Sequence, residues 1–277
     1  MMATYRAVGR NIVGRDFVVG DLHGHLQQLL NQLDALAFDP ARDRLFCLGD
    51  IIDRGPDSVA LLDMIDQRVY FSILGNHEAM MIAGFEDSAS APLHFANGGD
   101  WFYELPEIEQ QRLVDKVRQW PWAMEIETDI AQGTAGLVHA DVPQSSWVVV
   151  TRLLDAINAQ WIAGAPLSNP IVDIAAKSLL WPRKLVTHLY RNVLVEGERV
   201  GSQPEYRQAL ADSVTYAEAT AADQLRPFSI DGIDRVYMGH TYVPEVTAVG
   251  DCHFLDTFRG ERGESLSIVC LNVSPPE

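Results

Sequence analysis

The sequence predicts an α/β protein built on a βαβαβ unit. Short apolar runs recur, each runs into a polar, glycine-containing loop, and each loop opens into a segment of one-sided helical periodicity. Asp16-Phe17-Val18-Val19 reads as a buried strand that ends in Gly20-Asp21-Leu22-His23-Gly24. From Leu26, apolar residues recur at 29, 30, 33, 36 and 37, the stripe of an amphipathic helix. A second strand, Leu45 to Leu48, ends in Gly49-Asp50. Gly55-Pro56-Asp57-Ser58 then supplies turn and helix-start chemistry, and a helix runs through Met64 and Ile65. A third strand, Val69 to Leu74, ends in Gly75-Asn76-His77-Glu78 before another helical run. Parallel strands joined in this way gather their carboxyl-terminal loops at one sheet edge, where ligands bind.

The stretch from about Phe85 to Ile130 reads as largely helical, with a glycine-rich turn at Asn97-Gly98-Gly99-Asp100. Two later strands finish on histidine, Gly136-Leu137-Val138-His139 and Val236-Tyr237-Met238-Gly239-His240. No internal repeat, low-complexity tract or Pro/Ser-rich linker breaks the chain, so residues 1–277 are expected to form one domain.

Composition excludes several roles. The chain is 47% hydrophobic and 21% charged, which allows a substantial core. No secretory signal and no apolar run near the ~18 residues of a membrane span is visible, so a soluble, cytoplasmic protein without a membrane partner is expected. Three cysteines, Cys47, Cys252 and Cys270, form no CxxC pair, which argues against a disulfide framework or zinc knuckle. Cys47, within an apolar run, reads as a small buried hydrophobe. A net charge of −17 repels nucleic acid. If so acidic a protein handles phosphate, it needs concentrated local positive charge, such as bound divalent cations and a few arginines.

Five loops that follow apolar strands present metal-ligand chemistry: Asp21 with His23, Asp50, Asn76, His139 and His240. Taken singly, an aspartate after glycine is a common turn or cap residue, and a lone histidine is often a satisfied core residue. Taken together, carboxylate, amide and imidazole donors at one sheet edge suit Mn²⁺, Fe or Zn²⁺ rather than Ca²⁺. Glycine precedes the ligand at Gly20, Gly49, Gly75 and Gly239, as expected where backbone turns beside a crowded site.

The blocks GDLHG (20–24), GDIIDRG (49–55) and GNHE (75–78), followed by His139 and Gly239-His240-Thr241, resemble the signature of the phosphoprotein phosphatase family. GNHEAMMIAG and Asn97-Gly98-Gly99-x-Trp101 are most similar to its bacterial and bacteriophage lambda branch. The resemblance implies a calcineurin-like metallophosphoesterase fold of two packed mixed β-sheets flanked by helices. It implies two divalent metal ions, Mn²⁺ first, and a metal-bridging hydroxide as nucleophile. By similarity Asp21, His23 and Asp50 would hold the first metal, and Asp50, Asn76, His139 and His240 the second. His77 would be the general acid, paired with Asp53, while Arg54 and Arg183 of Trp181-Pro182-Arg183 would bind phosphate. Glu78 reads as a group that orients its loop, and His25, His94, His188 and His253 as non-ligating.

The implied activity is hydrolysis of phosphate monoesters, on a phosphorylated protein or a small phosphoester, by a serine/threonine-type or dual-specificity phosphatase. A symmetrical bis(5'-nucleosyl)-tetraphosphate hydrolase is the enzymatic alternative; such enzymes tend to lack an aspartate at the position of Asp53 and to carry Gly-Asn-His-Asp at the third block. A non-catalytic metal-binding regulatory protein would be expected to lose His77, Asp53 or Arg54. Tyr242 stands where nuclease-like relatives carry a second histidine, and the eukaryotic Ser-Ala-Pro-Asn-Tyr segment is absent. Residues of about 186–230 exceed the compact members of the family, and helices inserted as a lid or rim are expected there.

Overall fold

Side chains alternate across each strand, and the facing sides of the two sheets are buried against each other. The computed structural model describes residues 4–128, 133–194, 226–260, 264 and 266–272. Among them the strands are β1 (Tyr5–Val8), β2 (Asp16–Val19), β3 (Arg44–Cys47), β4 (Tyr70–Ser72), β5 (Ala123–Glu127), β6 (Thr134–Val138), β7 (Arg235–Met238), β8 (Thr247–Val249), β9 (Cys252–Phe254) and β10 (Ile268–Cys270). One sheet has the order β10-β2-β3-β4, with β2, β3 and β4 parallel and β10 antiparallel at the edge. The other runs β1-β5-β6-β7-β9-β8 and is also mixed, with β5/β6 and β8/β9 its antiparallel pairs. The three predicted strand–loop–helix repeats are β2, β3 and β4 with the helices Leu26–Ala35, Ser58–Met64 and Asn76–Glu86.

The two sheets pack face to face. Val18, Phe46 and Phe71 from the first meet Met124, Ile126, Leu137 and Tyr237 from the second, all buried. Their strand neighbours Phe17, Val19, Leu45, Cys47, Val236 and Met238 join a larger core with the helices. That core takes Leu29 and Leu33 from the first helix and Val150, Leu154, Ile157 and Trp161 from the helix Trp147–Ile162. Cys47 is buried, as its apolar surroundings predict. Among the described residues no helix is long and apolar enough to cross a membrane.

Two features differ from the sequence expectation. Strand β1 was not anticipated; it gains its place by parallel pairing with β5, 118 positions away at Tyr5↔Ala123. Strand β5 itself falls inside the stretch read as helical. Its apolar–polar alternation, Met124 and Ile126 against Glu125 and Glu127, is too short to stand out beside the helix Glu107–Val117. The expected glycine-rich turn is present: Gly98 takes φ of 94° and kinks the chain between the helical residues from Ala91 and the helix Asp100–Tyr103. Of the insertion expected at about 186–230, the helix Lys184–Leu194 and the 3₁₀ turn Arg226–Phe228 are seen, and residues 195–225 lie outside the described residues.

One histidine away from the sheet edge makes the fold pH-sensitive. His253 on β9 stacks on Tyr237 with ring centroids 4.6 Å apart. Burial, and the nearby charge of Arg235, push its imidazole from 6.5 down to about 4. The folded chain therefore binds this proton less readily than the unfolded chain. The contribution to stability is intact above pH 6.5 and is lost as pH falls towards 4. Urea unfolding of His253→Phe, which keeps a ring and removes the titration, should show less acid sensitivity than the wild type, by roughly 3 kcal/mol between pH 7 and 4. Parallel pH curves for the two proteins would refute the assignment.

Candidate metal centre

All five loops converge. Asp21 and His23 follow β2, Asp50 follows β3, Asn76 opens the helix after β4, His139 follows β6 directly and His240 follows β7. Every one of these side chains is buried. Their backbone is held in an uncommon shape: His23, Asp50, Asp53, Arg54 and His240 have φ of 43°, 48°, 73°, 68° and 64°. Left-handed backbone at non-glycine residues costs on the order of 1–3 kcal/mol each and clusters at functional sites. Crowding also fixes Gly75, where a Cβ would stand 2.3 Å from Asp50 Oδ1.

Two groups of candidate ligands share Asp50. His23, Asp50 and His77 form one, and Asp50, His139 and His240 the other, with ligand atoms in each group within 4.8 Å of one another. Asn76 joins the second through Oδ1, 2.9 Å from His139 Nε2. Asp21 sits beside the first, with Oδ2 3.8 Å from His23 Nε2, and its Oδ1 accepts from the His240 backbone N–H at 2.9 Å. Asp50 thus stands where the sequence expected a shared ligand, and His77 approaches it as closely as Asp21 approaches His23, at 3.8 Å.

The donor set fits a divalent cation. His23 Nδ1 lies 3.1 Å from the Ile52 carbonyl and His139 Nδ1 lies 2.7 Å from the Leu48 carbonyl. A carbonyl only accepts, so both rings carry their proton on Nδ1 and turn the Nε2 lone pair inward, the usual posture of a metal-ligating histidine. His139 Nε2 then faces Asn76 Oδ1 at 2.9 Å and Asp50 Oδ1 at 3.4 Å, three acceptors that need a cation or a proton between them. Burial lowers the His139 pKa, but Asp50 and Asp21 outweigh it and raise it to about 10. The anionic surplus draws a proton, and a divalent cation meets the same demand. Burial opposes the charge of Asp50, yet His139, His77 and His23 hold its carboxyl well below the usual range. Burial, followed by His139, lowers His240 to about 3, which leaves its imidazole neutral and able to ligate.

Asp53 and Arg54 stand beside this centre. Asp53 Oδ2 accepts from His77 Nδ1 at 2.7 Å. Burial pulls the His77 pKa down, but Asp50 and the Asp53 bond hold it above its ordinary value. The Arg54 guanidinium reaches His23 Nε2 at 2.7 Å and His77 Nε2 at 3.1 Å, so a fixed positive charge spans both rings. Arg183 is exposed, two residues after Trp181, whose carbonyl lies 3.3 Å from His240 Nε2. Its charge is one of the influences that lower the His240 pKa, so it belongs to the rim on that side.

The sequence reading missed four residues. His94 and Trp101 both donate to Asp53, and Tyr103 bonds His94. His94 is fully buried beside Asp53. The Asn97-Gly98-Gly99-x-Trp101 pattern was the available signal, without indicating its partner. Asp256 is also buried near the centre, where burial and the Asp50 charge raise its carboxyl to about 7.

A sheet edge that gathers acidic, amide and imidazole donors around a shared buried aspartate defines an α/β protein of the metal-dependent class. The chain belongs to the calcineurin-like phosphoesterase family, whose match spans residues 17–244 and implies divalent metal ions. It is 37% identical over 147 residues to serine/threonine-protein phosphatase 2 of Escherichia coli, covering 52% of this chain and 66% of that one. It is 36% identical over 132 residues to a symmetrical bis(5'-nucleosyl)-tetraphosphatase of Pseudomonas fluorescens, covering 46% and 43%. The match spans less than two thirds of the length of these relatives. A cold-active protein-tyrosine phosphatase of a psychrophile Shewanella sp. aligns over 93% of this chain and 74% of its own, with a TM-score of 0.53 and 15% identity, a likeness of fold alone.

Proposed function

We propose that this protein hydrolyses phosphate monoesters as a serine/threonine-type protein phosphatase, with residues 1–277 acting as one domain in the cytoplasm. The buried Asp53–His77 pair carries this reading: at 2.7 Å it is a charge-assisted couple suited to holding a protonated imidazole beside the ligand cluster. Asp21, His23 and Asp50 would hold one cation, and Asp50, Asn76, His139 and His240 the other, with Mn²⁺ the first choice and Fe or Zn²⁺ compatible with the same donors. When bound, such cations act as Lewis acids that lower the pKa of water towards ~7 and neutralise phosphate charge.

The chain's own groups do the rest. Arg54 and Arg183 bind phosphate oxygens, Arg54 with a planar fork suited to two parallel hydrogen bonds. His77, whose Nδ1–H is committed to Asp53, would deliver a proton from Nε2 to the departing oxygen of the phosphoester once Arg54, 3.1 Å from that nitrogen here, turns to the phosphate. Asp53 keeps that imidazole charged until the transfer. Burial of Asp21, Asp50 and His139 keeps bulk water from screening these charges.

The tetraphosphatase relatives, 30–36% identical, support a second reading, cleavage of a dinucleoside tetraphosphate. Protein stripped of metal and restored with Mn²⁺ separates the two. Phosphate release from a phosphoserine peptide with negligible cleavage of diadenosine tetraphosphate is the expected result. The reverse would leave the metal site standing and overturn the use of Asp53 and Glu78 to choose the substrate.

A further inference from the structure

Asp53 has more partners than a simple dyad needs. Its carboxylate is fully buried and accepts from three side chains: His77 Nδ1 to Oδ2 at 2.7 Å, Trp101 Nε1 to Oδ1 at 2.8 Å, and His94 Nε2 to both oxygens at 3.1 Å. His94 is itself fully buried, and its Nδ1 lies 3.1 Å from the Tyr103 hydroxyl. Burial, with the Asp53 charge nearby, raises Tyr103 to about 12, so the hydroxyl keeps its proton and donates it to Nδ1. That fixes one tautomer for His94, with the hydrogen on Nε2 pointed at Asp53.

The segment that supplies these donors is shaped for the task. His94, Trp101 and Tyr103 flank the turn Phe95–Gly99, where Gly98 takes φ of 94° and kinks the helical path. At Gly99 a Cβ would stand 2.1 Å from His94 Nε2, so a side chain there would displace the ring from Asp53. The Gly98 carbonyl accepts from the Arg54 backbone N–H at 3.2 Å. One short segment therefore braces both members of the left-handed pair Asp53–Arg54.

A carboxylate held at one oxygen can rotate about its Cβ–Cγ bond. His94, bridging both oxygens, and Trp101, holding Oδ1, together leave Oδ2 aimed at His77. We propose that His94, backed by Tyr103 and joined by Trp101, is a positioning residue for leaving-group protonation: it locks the Asp53 carboxylate in the plane that fixes His77. This inference rests on the reading of His77 as the general acid. No group in the trio faces the candidate cations, so its loss leaves metal binding and phosphate binding in place.

A leaving-group series tests it. Hydrolysis of a nitrophenyl phosphate, whose leaving group departs without a proton, is compared with that of phenyl phosphate and of an alkyl phosphate. General acid catalysis contributes about 10²–10⁴-fold where protonation matters. His94→Ala should lower kcat on the alkyl ester by roughly 10–100-fold and on the nitrophenyl ester by less than about 3-fold, a fraction of the acid's full contribution. KM and bound-metal content should stay constant. His94→Gln, which keeps an N–H donor, should recover part of the loss. Trp101→Phe, which removes one N–H from a similar ring, should show the same selective pattern and serves if His94→Ala does not fold.

His77→Asn is the control. If it is selective for the poor leaving group while His94→Ala and Trp101→Phe slow all esters equally, the brace is merely structural and the inference falls. If His77→Asn itself shows no selectivity, the reading of His77 as the acid fails first and the inference goes with it.

Discussion

Asp50→Asn is expected to lower kcat on a phosphoserine peptide by more than the roughly 10⁴-fold ceiling of general acid catalysis, whereas His77→Asn stays within it. Asp50 is common to both ligand groups, and three histidines depend on its charge. Asparagine removes that charge and, where its N–H₂ replaces a carboxylate oxygen, sets a donor where an oxygen must accept the His77 backbone N–H or bind a cation. His77, by contrast, offers one proton. Phosphate monoester hydrolysis can demand rate enhancements of up to ~10²¹, so a single proton donor supplies a small part of the whole. The check is kcat beside elemental metal content for both variants. Comparable losses with metal retained in each would overturn the assignment of Asp50 as the shared ligand.

Glu78→Ala should destabilise the fold by at least about 3 kcal/mol and weaken metal binding by roughly 10–100-fold. The Glu78 side chain is fully buried and accepts three backbone N–H groups: Asp50 at 2.8 Å, Ile51 at 2.9 Å and Gly75 at 3.0 Å. The third bond reaches back across the first turn of its helix, as a glutamate three residues after an N-cap can do. The other two tie the loop after β3 to that helix and so set where Asp50 stands. Alanine leaves three buried donors unpaired, each costing about 1–3 kcal/mol. Glu78→Gln keeps one acceptor oxygen and should fall between. Thermal unfolding and Mn²⁺ titration read both effects; an alanine variant as stable as the wild type would show that Glu78 is no hub.

The parts of this site that could be read from sequence are local. Asp21, Asp50, His139 and His240 each lie within three residues of the end of an apolar strand, so strand periodicity places them at one edge before any coordinate is known. The brace on Asp53 was hidden because its residues are distant in sequence: His94 is 41 positions away and Trp101 is 48. No periodicity links a glycine kink between helices to a loop after a parallel strand. His94 illustrates the gap well, since asking only whether it ligates a metal says nothing of its place beside Asp53. Strand β1 was unreadable for the same reason, as its four residues gain meaning only beside β5.

Asp21, His23, Asp50 and Asn76 come from loops of the four-stranded sheet, and His139 and His240 from loops of the six-stranded one. The ligand cluster is therefore a seam between two layers, stitched without any ion by the His240 N–H to Asp21 and by His139 to the Leu48 carbonyl. A cation held there would act as a rivet: it binds only when the layers are docked, so its binding energy adds to the stability of that docking. A nascent chain released before β7 carries most of the ligands yet lacks His240. Two separated sheets hold two half-sites. With the proposed ligand set, the full site would exist only once both layers have closed.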